Sequence, residues 1–436
     1  MAESTVCDAK RAREASRRLA ILSSEKKNRA LAQIADALWV RRDEIVRANE
    51  KDLVTAEQDH LAAPLLKRLL FNEKKIQAVI SGIESLLGLA DPIGTLQMET
   101  ELDEGLDLRR VSCPLGVIGV IFESRPDALV QIATLCLKSG NAAILKGGSE
   151  ALHTNRILAA VLADAARLED GRVPDGWITL WESREQVSEM LKMDKYIDLI
   201  IPRGSNEFVQ RIMSGTTIPV MGHADGVCHL YIHEEAEPEM AVRIAVDSKT
   251  QYVAVCNAAE TLLVDEKIAA ELLPVLAGAL REKNVVLHGC EKVRACIDAE
   301  PVEDWHHEYL NYEMSVRIVS GLDEAIDHIN TYGSGHTEAI VTRNVEAARV
   351  FMSLVDSGNA FWNCSTRFSD GFRYGFGAEV GISTSKLHAR GPVGLDGLVT
   401  YKYLLTGHGQ IVADYEEGRA RFTHKKIDIN RQGDSK

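Results

Sequence analysis

No apolar run in this sequence approaches the roughly 18 residues that a membrane-spanning helix needs. The longest run, from Pro114 to Phe122, has the length of a buried strand. Positive charge is also in short supply, since 50 Lys and Arg stand against 64 Asp and Glu and leave a net charge of −14. Because an acidic surface repels a phosphate backbone and anionic lipid, we expect neither a nucleic-acid binder nor a membrane binder. An anionic ligand would need a local cluster of Arg, Lys and backbone N–H groups.

Metal-binding cysteine motifs are missing as well. The eight cysteines include no C-x-x-C pair, and most lie within apolar stretches, as reduced cytosolic cysteines do. The segment from Met1 to Arg18 is charged and has no apolar core, so we expect no secretory signal. We therefore expect a cytoplasmic protein without a metal site. Its 436 residues, of which 45% are apolar and 26% charged, are enough for two or three domains.

The hydrophobic pattern changes once along the chain. Up to about residue 84 it is helical: Leu31, Ile34, Ala35 and Leu38 fall at i, i+3, i+4 and i+7, which predicts one buried helix face. Strands then alternate with helices in two sets, which predicts two α/β domains with parallel sheets. The predicted strands are 117–122, 142–145, 177–181 and 198–201 in the first set, and 228–232, 261–264, 285–287, 339–342 and 358–362 in the second.

Two further stretches, near 106–111 and 398–413, alternate apolar and polar residues. Alternation of this kind is typical of half-exposed strands. We predict that these two segments pair with each other and form an arm outside both domains.

Two glycine-containing loops follow predicted strands of the first set. One is Lys146-Gly147-Gly148-Ser149-Glu150, which opens a helix, and the other is Pro202-Arg203-Gly204-Ser205. Glycines let the backbone approach a ligand, a helix N-terminus supplies unpaired N–H groups, and Lys146 adds a positive charge, so the first loop suits a nucleotide phosphate or ribose. It is neither G-x-G-x-x-G nor a P-loop, and an ordinary βα turn is the alternative.

Cys256 has the most unusual surroundings of the eight cysteines. It lies in a stretch of small residues, 252–260, between a predicted helix and a predicted strand. Small neighbours leave room for a substrate beside a thiol, as a nucleophile requires, and a packed core cysteine is the alternative.

Residues 361–368 and 374–384 are dense in Gly, hydroxyls and Arg, which favours a cleft lining over a regular element. Arg367, Ser383 and Thr384 would be available there to a carboxylate or phosphate, and a long structural turn is the alternative.

Seven motifs occur in order between about Ala9 and Val412. They are residues 122–126, 201–205, 219–226, 256–258, 333–338, 365–368 and 388–392. Together they resemble the glutamate-5-semialdehyde dehydrogenases, also called γ-glutamyl phosphate reductases, a branch of the aldehyde dehydrogenase superfamily. No kinase domain precedes the match, so the resemblance is to the stand-alone form.

The resemblance implies an aldehyde dehydrogenase-like α/β fold, with a Rossmann-type cofactor domain, an α/β catalytic domain and a β oligomerisation arm. The expected parts are N-terminal helices packing on the cofactor domain at 1–98, the arm at 99–112 and 396–415, the NADP-binding domain at 113–230, the catalytic domain at 231–395, and a C-terminal tail at 416–436. It also implies a homo-oligomer, dimer or tetramer, and a functional link to glutamate 5-kinase.

The implied reaction is reduction of L-glutamyl 5-phosphate by NADPH to L-glutamate 5-semialdehyde and phosphate, the second step of proline biosynthesis. Cys256 matches the family nucleophile, which forms a thioester. The N–H of Cys256 and the side chain of Ser124 are the candidate oxyanion donors, and Ser124 stands where hydrolysing relatives carry Asn. Gly222 and His223 replace the Glu that activates water in those relatives, which favours a reductase.

The resemblance also implies the binding residues. For the cofactor these are Lys146, Gly147, Ser149 and Glu150 at the adenosine ribose and its phosphate, Arg203, Gly204 and Ser205 in the second loop, and Glu308 at the nicotinamide ribose. For the substrate's phosphate and α-carboxylate we hypothesise Arg125, Arg367, Ser383 and Thr384, because a chain of net charge −14 can bind two anions only with local positive groups. Arg125 could instead pair with Glu123. The alternatives are reduction of another acyl phosphate, oxidation of a related aldehyde, and a scaffold protein without activity.

Overall fold

The computed structural model describes residues 2–61, 63–123, 125–167, 173–204, 206–222 and 225–429. The chain forms two compact units, one from Met1–Arg203, Gly215–Val220 and Gly394–Lys436, the other from Gly204–Ser214 and Met221–Val393. None of the described helices is both long and apolar enough to cross a lipid bilayer.

Five helices open the first unit. They are α1 (Ala2–Leu19), α2 (Ser24–Val40), α3 (Arg42–Gln58), α4 (Ala63–Leu69) and α5 (Glu73–Leu87). The stripe predicted from the sequence is confirmed, because Leu31, Ile34, Ala35 and Leu38 of α2 are all buried. The Asn72 side chain accepts a hydrogen bond from the Lys75 N–H and caps α5.

An antiparallel sheet contains the predicted arm strands. Its strands are β1 (Leu96–Asp103), β2 (Leu106–Pro114), β16 (Val399–Thr406) and β17 (Lys425–Ile427), in the order β16-β2-β1-β17. The predicted pairing is confirmed, since β16 runs antiparallel to β2 with Val399 opposite Pro114. The expected extended region ends early, because residues 412–416 form the short helix α15 (Val412–Glu416).

β17 was not predicted, and the expected arm, which began at residue 99, included only part of β1, although β1 alternates Leu96, Met98 and Leu102 with polar residues. Residues 425–427, expected in a tail, pair with 99–101 of β1 and so belong to this sheet.

The first unit also holds a parallel sheet, built by a regular alternation of strand and helix. Its elements are β3 (Val117–Phe122), α6 (Pro126–Lys138), β4 (Ala142–Lys146), a 3-10 turn (Ser149–Ala151), α7 (Leu152–Ala165), β5 (Ile178–Trp181), α8 (Arg184–Met190) and β6 (Leu199–Arg203). The strand order is β5-β4-β3-β6, all parallel, which is the order of the first four strands of a Rossmann sheet. β3 and β4 are buried throughout, as their continuous apolar sequences predict.

The second unit is organised around a seven-stranded parallel sheet. Its strands are β7 (Cys228–Ile232), β8 (Ala259–Asp265), β9 (Val286–Gly289), β10 (Glu300–Pro301), β11 (Glu313–Val319), β12 (Thr337–Val341) and β13 (Asn359–Trp362), in the order β10-β9-β11-β8-β7-β12-β13. The expected domain boundary after residue 230 differs from this arrangement, because it would cut through the buried strand β7. β11, between β9 and β8, was not predicted, since Ser315 and Arg317 interrupt its apolar pattern.

Helices cover both faces of this sheet. The elements of the second unit outside the sheet are α9 (Asn206–Ser214), α10 (Pro238–Thr250), α11 (Glu266–Arg281), α12 (Glu291–Arg294), α13 (Leu322–Tyr332), α14 (Val345–Leu354), a 3-10 turn (Thr366–Phe368) and the strand pair β14 (Gly381–Ser383) and β15 (Gly391–Val393). One apolar core lies between the sheet and α10 with α11, and another between the sheet and α13 with α14.

Candidate active site

Neighbouring strand ends carry the cofactor residues predicted in the first unit. Lys146, at the end of β4, pairs with Ile121, and Arg203, at the end of β6, pairs with Phe122 of β3. β3 and β6 are the adjacent strands at which the strand order reverses, and open α/β sheets bind ligands beyond the strand ends at such a point. Both predicted loops therefore leave the sheet at the carboxyl ends of its strands. One follows β4 and the other follows β6, the two neighbours of β3.

Lys146 is a buried cation, with 8% of its surface exposed. Burial lowers the pKa of Lys146, and the neighbouring Glu150 carboxylate opposes that shift. Within the described part of the chain its Nζ makes no hydrogen bond. A buried ammonium in this state is suited to an anionic or hydroxyl-bearing ligand.

The loop after Lys146 gives such a ligand close access to the backbone. A Cβ at Gly147 would collide with Nδ2 of Asn155, so a larger residue would have to displace this buried amide. Ser149 is exposed and Glu150 is half-buried, and both lie in the 3-10 turn that leads into α7. The cation, the glycine and the start of a helix fit the phosphate or ribose of a nucleotide.

The remaining predicted residues near these strand ends have few contacts that bear on ligand binding. Arg203 is half-buried and Gly204, which belongs to the second unit, is exposed. Arg125 occupies the N-cap position of α6. Ser124, Ser205 and His223 lie outside the described residues.

In the second unit, Cys256 lies in a turn whose carbonyls are each held by a different donor. The Ala258 N–H donates to the Val255 carbonyl at 3.0 Å, and the Cys228 thiol donates to the Cys256 carbonyl at 3.1 Å. The Thr366 hydroxyl donates to the Asn257 carbonyl at 2.8 Å. Cys256 itself is half-buried, so its thiol combines a fixed backbone with partial access.

Arg367 is connected to the same turn. It follows Thr366 directly, it is 8% exposed, and its Nε donates to Oε1 of Gln251 at 3.0 Å. Burial lowers the pKa of Arg367, and Arg373 lowers it further, whereas a charge on Cys256 raises it. The guanidinium of Arg367 and a negative charge on Cys256 therefore attract each other. The structure therefore brings together two of the predicted residues, Cys256 and Arg367.

Ser383 and Thr384 differ from each other in accessibility. Ser383 is fully buried at the end of β14, and its hydroxyl lies 3.0 Å from that of Ser385. Thr384 is half-buried. Of the two hydroxyls, that of Thr384 is the more accessible to a ligand.

Glu308 belongs to a small acidic cluster that was not predicted. The side-chain amide of Asn206, the first residue of α9, donates to Glu308 at 2.9 Å and to Asp225 at 2.5 Å. One neutral amide thus separates two carboxylates. The nearby Glu308 also contributes to the raised pKa of Glu260. The sequence signal for Asn206 was its place directly after the second glycine loop.

Lys249 and Glu260 flank the loop that carries Cys256. Lys249 lies in the last turn of α10 and Glu260 in β8, and both side chains are fully buried. Burial raises the pKa of Glu260 to about 7, with Lys249 opposing the shift, and burial lowers the pKa of Lys249. Neither residue was predicted, although the sequence has a Lys and a Glu at the two ends of the small-residue loop.

No group of three or more His, Cys, Asp or Glu side chains that could hold a metal ion occurs among the described residues. His229, in β7, lies 3.0 Å from Glu338, whereas His233 lies 3.0 Å from Thr342. The two histidines therefore have separate partners.

Comparison with known proteins gives consistent matches. The chain matches the model of the Aldehyde dehydrogenase family over residues 2–294. It is 65% identical to a gamma-glutamyl phosphate reductase of Pelotomaculum thermopropionicum over 421 residues, 96% of each chain. A crystal structure of gamma-glutamyl phosphate reductase from Thermotoga maritima is 40% identical with a TM-score of 0.91, covering 93% of this chain and 99% of that chain. Betaine aldehyde dehydrogenase of Staphylococcus aureus, solved with NAD+, is similar in fold, with 17% identity, a TM-score of 0.66, and coverage of 94% and 90%.

Proposed function

Because this chain belongs to the aldehyde dehydrogenase family, and within it to the gamma-glutamyl phosphate reductases, we propose that it reduces L-glutamyl 5-phosphate to L-glutamate 5-semialdehyde and phosphate with NADPH. This is the second step of proline biosynthesis. The observation that carries the mechanism is the anchored turn of Cys256 beside the buried guanidinium of Arg367.

Cys256 is the nucleophile of this proposal. Its thiolate forms a bond to the acyl carbon of the substrate, and the bond from that carbon to the phosphate oxygen breaks. Phosphate leaves with the bonding electron pair and takes up a proton, and the acyl group remains on Cys256 as a thioester. Arg367 supports this step because its guanidinium can bind the substrate's phosphate or carboxylate beside Cys256.

The oxyanion that forms at the acyl carbon needs hydrogen-bond donors. The N–H of Cys256 suits this role, because it donates to no acceptor within the described chain while the carbonyls around it are fixed. Ser124 is the proposed second donor. Gly222 and His223 replace the glutamate that activates water in hydrolysing relatives, and loss of that glutamate favours reduction of the thioester over its hydrolysis.

A nicotinamide cofactor, when bound, would supply a hydride to the acyl carbon. The bond from that carbon to the sulfur of Cys256 then breaks, so the aldehyde leaves and the thiolate is regenerated. The residues proposed to hold the cofactor's adenosine end are Lys146, Gly147, Ser149 and Glu150, with Arg203, Gly204 and Ser205 in the second loop, and Glu308 is proposed for the nicotinamide ribose. Lys146 favours NADP over NAD, because a buried cation matches the extra phosphate.

Arg125, Arg367, Ser383 and Thr384 are the residues proposed to bind the substrate's phosphate and α-carboxylate. We further propose a cytoplasmic homo-oligomer, a dimer or tetramer, that associates through the sheet containing β2 and β16, and a functional link to glutamate 5-kinase. Exposed Tyr401, Tyr403 and Leu405 on the edge strand β16 support the proposed association.

The deciding experiment is the reverse reaction, phosphate-dependent reduction of NADP by glutamate 5-semialdehyde. We expect turnover only when phosphate is present, and none in Cys256→Ala. Cys290→Ala, a change at another half-buried cysteine of the same unit and outside the proposed site, is the matched control and should remain active. Turnover without phosphate would instead identify a hydrolysing dehydrogenase. A folded protein that is silent with both NADP and NAD would favour the scaffold alternative.

A further inference from the structure

The carbonyl of Cys256 accepts its hydrogen bond from a second cysteine. Cys228 Sγ lies 3.1 Å from this oxygen, and Cys228 is fully buried at the start of β7. On the flanking residues the donors are ordinary ones, the Ala258 N–H and the Thr366 hydroxyl. Cys228 is the one donor to the Cys256 carbonyl among the described residues, so the thiol alone fixes the peptide that follows the nucleophile.

The surroundings of Cys228 keep it protonated, and therefore able to donate. Burial raises its pKa well above the ordinary range, and the charges of Glu338, Cys256 and Glu260 act in the same direction. A backbone hydrogen bond from Thr337 opposes this shift without reversing it. Nδ1 of His336 lies 3.7 Å from Cys228 Sγ. Unlike an exposed thiol, Cys228 is not accessible to react with substrate, so its role is confined to hydrogen bonding and packing.

Space is restricted on the same side of the turn. A Cβ at Gly226, two residues before Cys228, would lie 2.6 Å from Cys256 Cβ and still closer to its Cα and carbonyl oxygen. Gly226, just before β7, therefore packs directly against the backbone of Cys256. A shift of the Cys256 carbonyl would be transmitted to the thiol, because both are attached to one Cα.

We propose that Cys228 is a positioning residue for Cys256, whose thiol–carbonyl hydrogen bond sets the direction from which the nucleophile meets the acyl carbon. The proposal rests on the proposed function, in which Cys256 attacks the substrate. Cys228 touches neither substrate nor cofactor in this role, and it acts only through the backbone of Cys256.

The test compares Cys228→Ala with Cys228→Ser, which keeps a donor, and with Cys136→Ala. Cys136 is an equally buried thiol in α6 of the first unit, so its variant reports the cost of removing any buried thiol. The first readout is the rate at which iodoacetamide alkylates Cys256 as a function of pH, followed by mass spectrometry of the peptide that contains it. The second is kcat and KM in the reverse reaction.

We expect Cys228→Ala to shift the pH profile of Cys256 alkylation and to lower kcat about tenfold or more with little change in the KM for NADP. Cys228→Ser should keep most of the wild-type kcat and a pH profile close to that of the wild type. Cys136→Ala should match the wild type in both. If Cys228→Ala does not fold, Cys228→Val replaces it, because valine fills the space without donating. A Cys228→Ala or Cys228→Val profile equal to that of the wild type would overturn the proposal.

Failure of the proposed function gives a different result. If complete alkylation of Cys256 in the wild type leaves turnover intact, Cys256 is not the nucleophile and the proposed function fails. If alkylation abolishes turnover but the Cys228 variants behave as the wild type, only the positioning role is overturned.

Discussion

The ammonium of Lys249 lies 2.7 Å from Oε2 of Glu260, and neither side chain is exposed to solvent. The two residues stand at the ends of the segment that contains Cys256, so their contact closes the base of that loop. Removing one partner of a buried ion pair leaves an uncompensated charge, which is more costly than losing the pair as a whole.

We predict that Lys249→Met and Glu260→Leu each lower the free energy of unfolding by about 3–5 kcal/mol, and that the double variant is less destabilised than either. Urea denaturation of each variant measures this free energy of unfolding. Lys267→Met is the control, because Lys267 and Glu234 form a pair at the same 2.7 Å distance on the surface, where we expect no measurable change. Single variants as stable as the wild type would contradict the prediction.

Gly226→Ala tests the close approach to the nucleophile. The new methyl group would collide with backbone atoms of Cys256, which cannot move aside as a flexible side chain can. We expect kcat to fall about a hundredfold, since a displacement of about 1 Å at a reacting group costs that much. Gly278→Ala is the control: Gly278 lies within α11 with no atom near its would-be Cβ, and alanine there should stabilise the helix by about 1 kcal/mol. Normal kinetics in Gly226→Ala would show that the turn can yield.

Lys146→Met tests the cofactor site. Loss of one charge-assisted hydrogen bond should raise the KM for NADPH about tenfold or more while kcat changes little. The KM for NADH should rise less, because NADH lacks the phosphate that Lys146 is proposed to meet. Lys195→Met, at an exposed position of the same unit, should alter neither value. Equal effects on both cofactors would place Lys146 at the ribose instead.

Acid should destabilise the second unit through His328. The pKa of His328 is lowered to about 3, chiefly by burial and also by the charges of its neighbours His229 and Arg317. Arg317 lies 3.0 Å from its Nδ1. Between pH 3 and about 6.5 the unfolded chain binds a proton at this residue that the folded chain does not. The unfolding free energy contributed by His328 is therefore complete above pH 6.5 and declines as the pH falls toward 3.

The measurement is the thermal midpoint from pH 7 to pH 4 for wild type and His328→Gln, whose amide oxygen can still accept from Arg317. The variant should lose less stability on acidification, and His307→Gln, at an exposed histidine, should follow the wild type. Parallel curves for all three proteins would contradict this assignment.

Much of the fold was predictable from local pattern. The spacing of apolar residues alone predicts three features: the strands β3 and β4, the buried stripe of α2, and the pairing of β2 with β16. A strand buried on both faces has a continuous apolar run, a half-exposed strand alternates, and a helix with one buried face repeats about every 3.6 residues. The aldehyde dehydrogenase-like α/β fold is confirmed. β11 was missed because the partners of its polar residue Arg317, at Glu324 and His328, come from α13 and leave no local signal.

By itself, the sequence determined the family, the alternation of strands and helices, and Cys256 as the candidate nucleophile, since each of these depends on residue order along the chain. The tertiary structure decided which groups meet: Cys228 with the carbonyl of Cys256, Thr366 with Asn257, Lys249 with Glu260, and Asn206 with Glu308. These contacts join residues between 11 and 109 positions apart. Hydrogen bonds and ion pairs depend on distance in space, and only the packing of strands and helices brings such residues within 3 Å or so of one another.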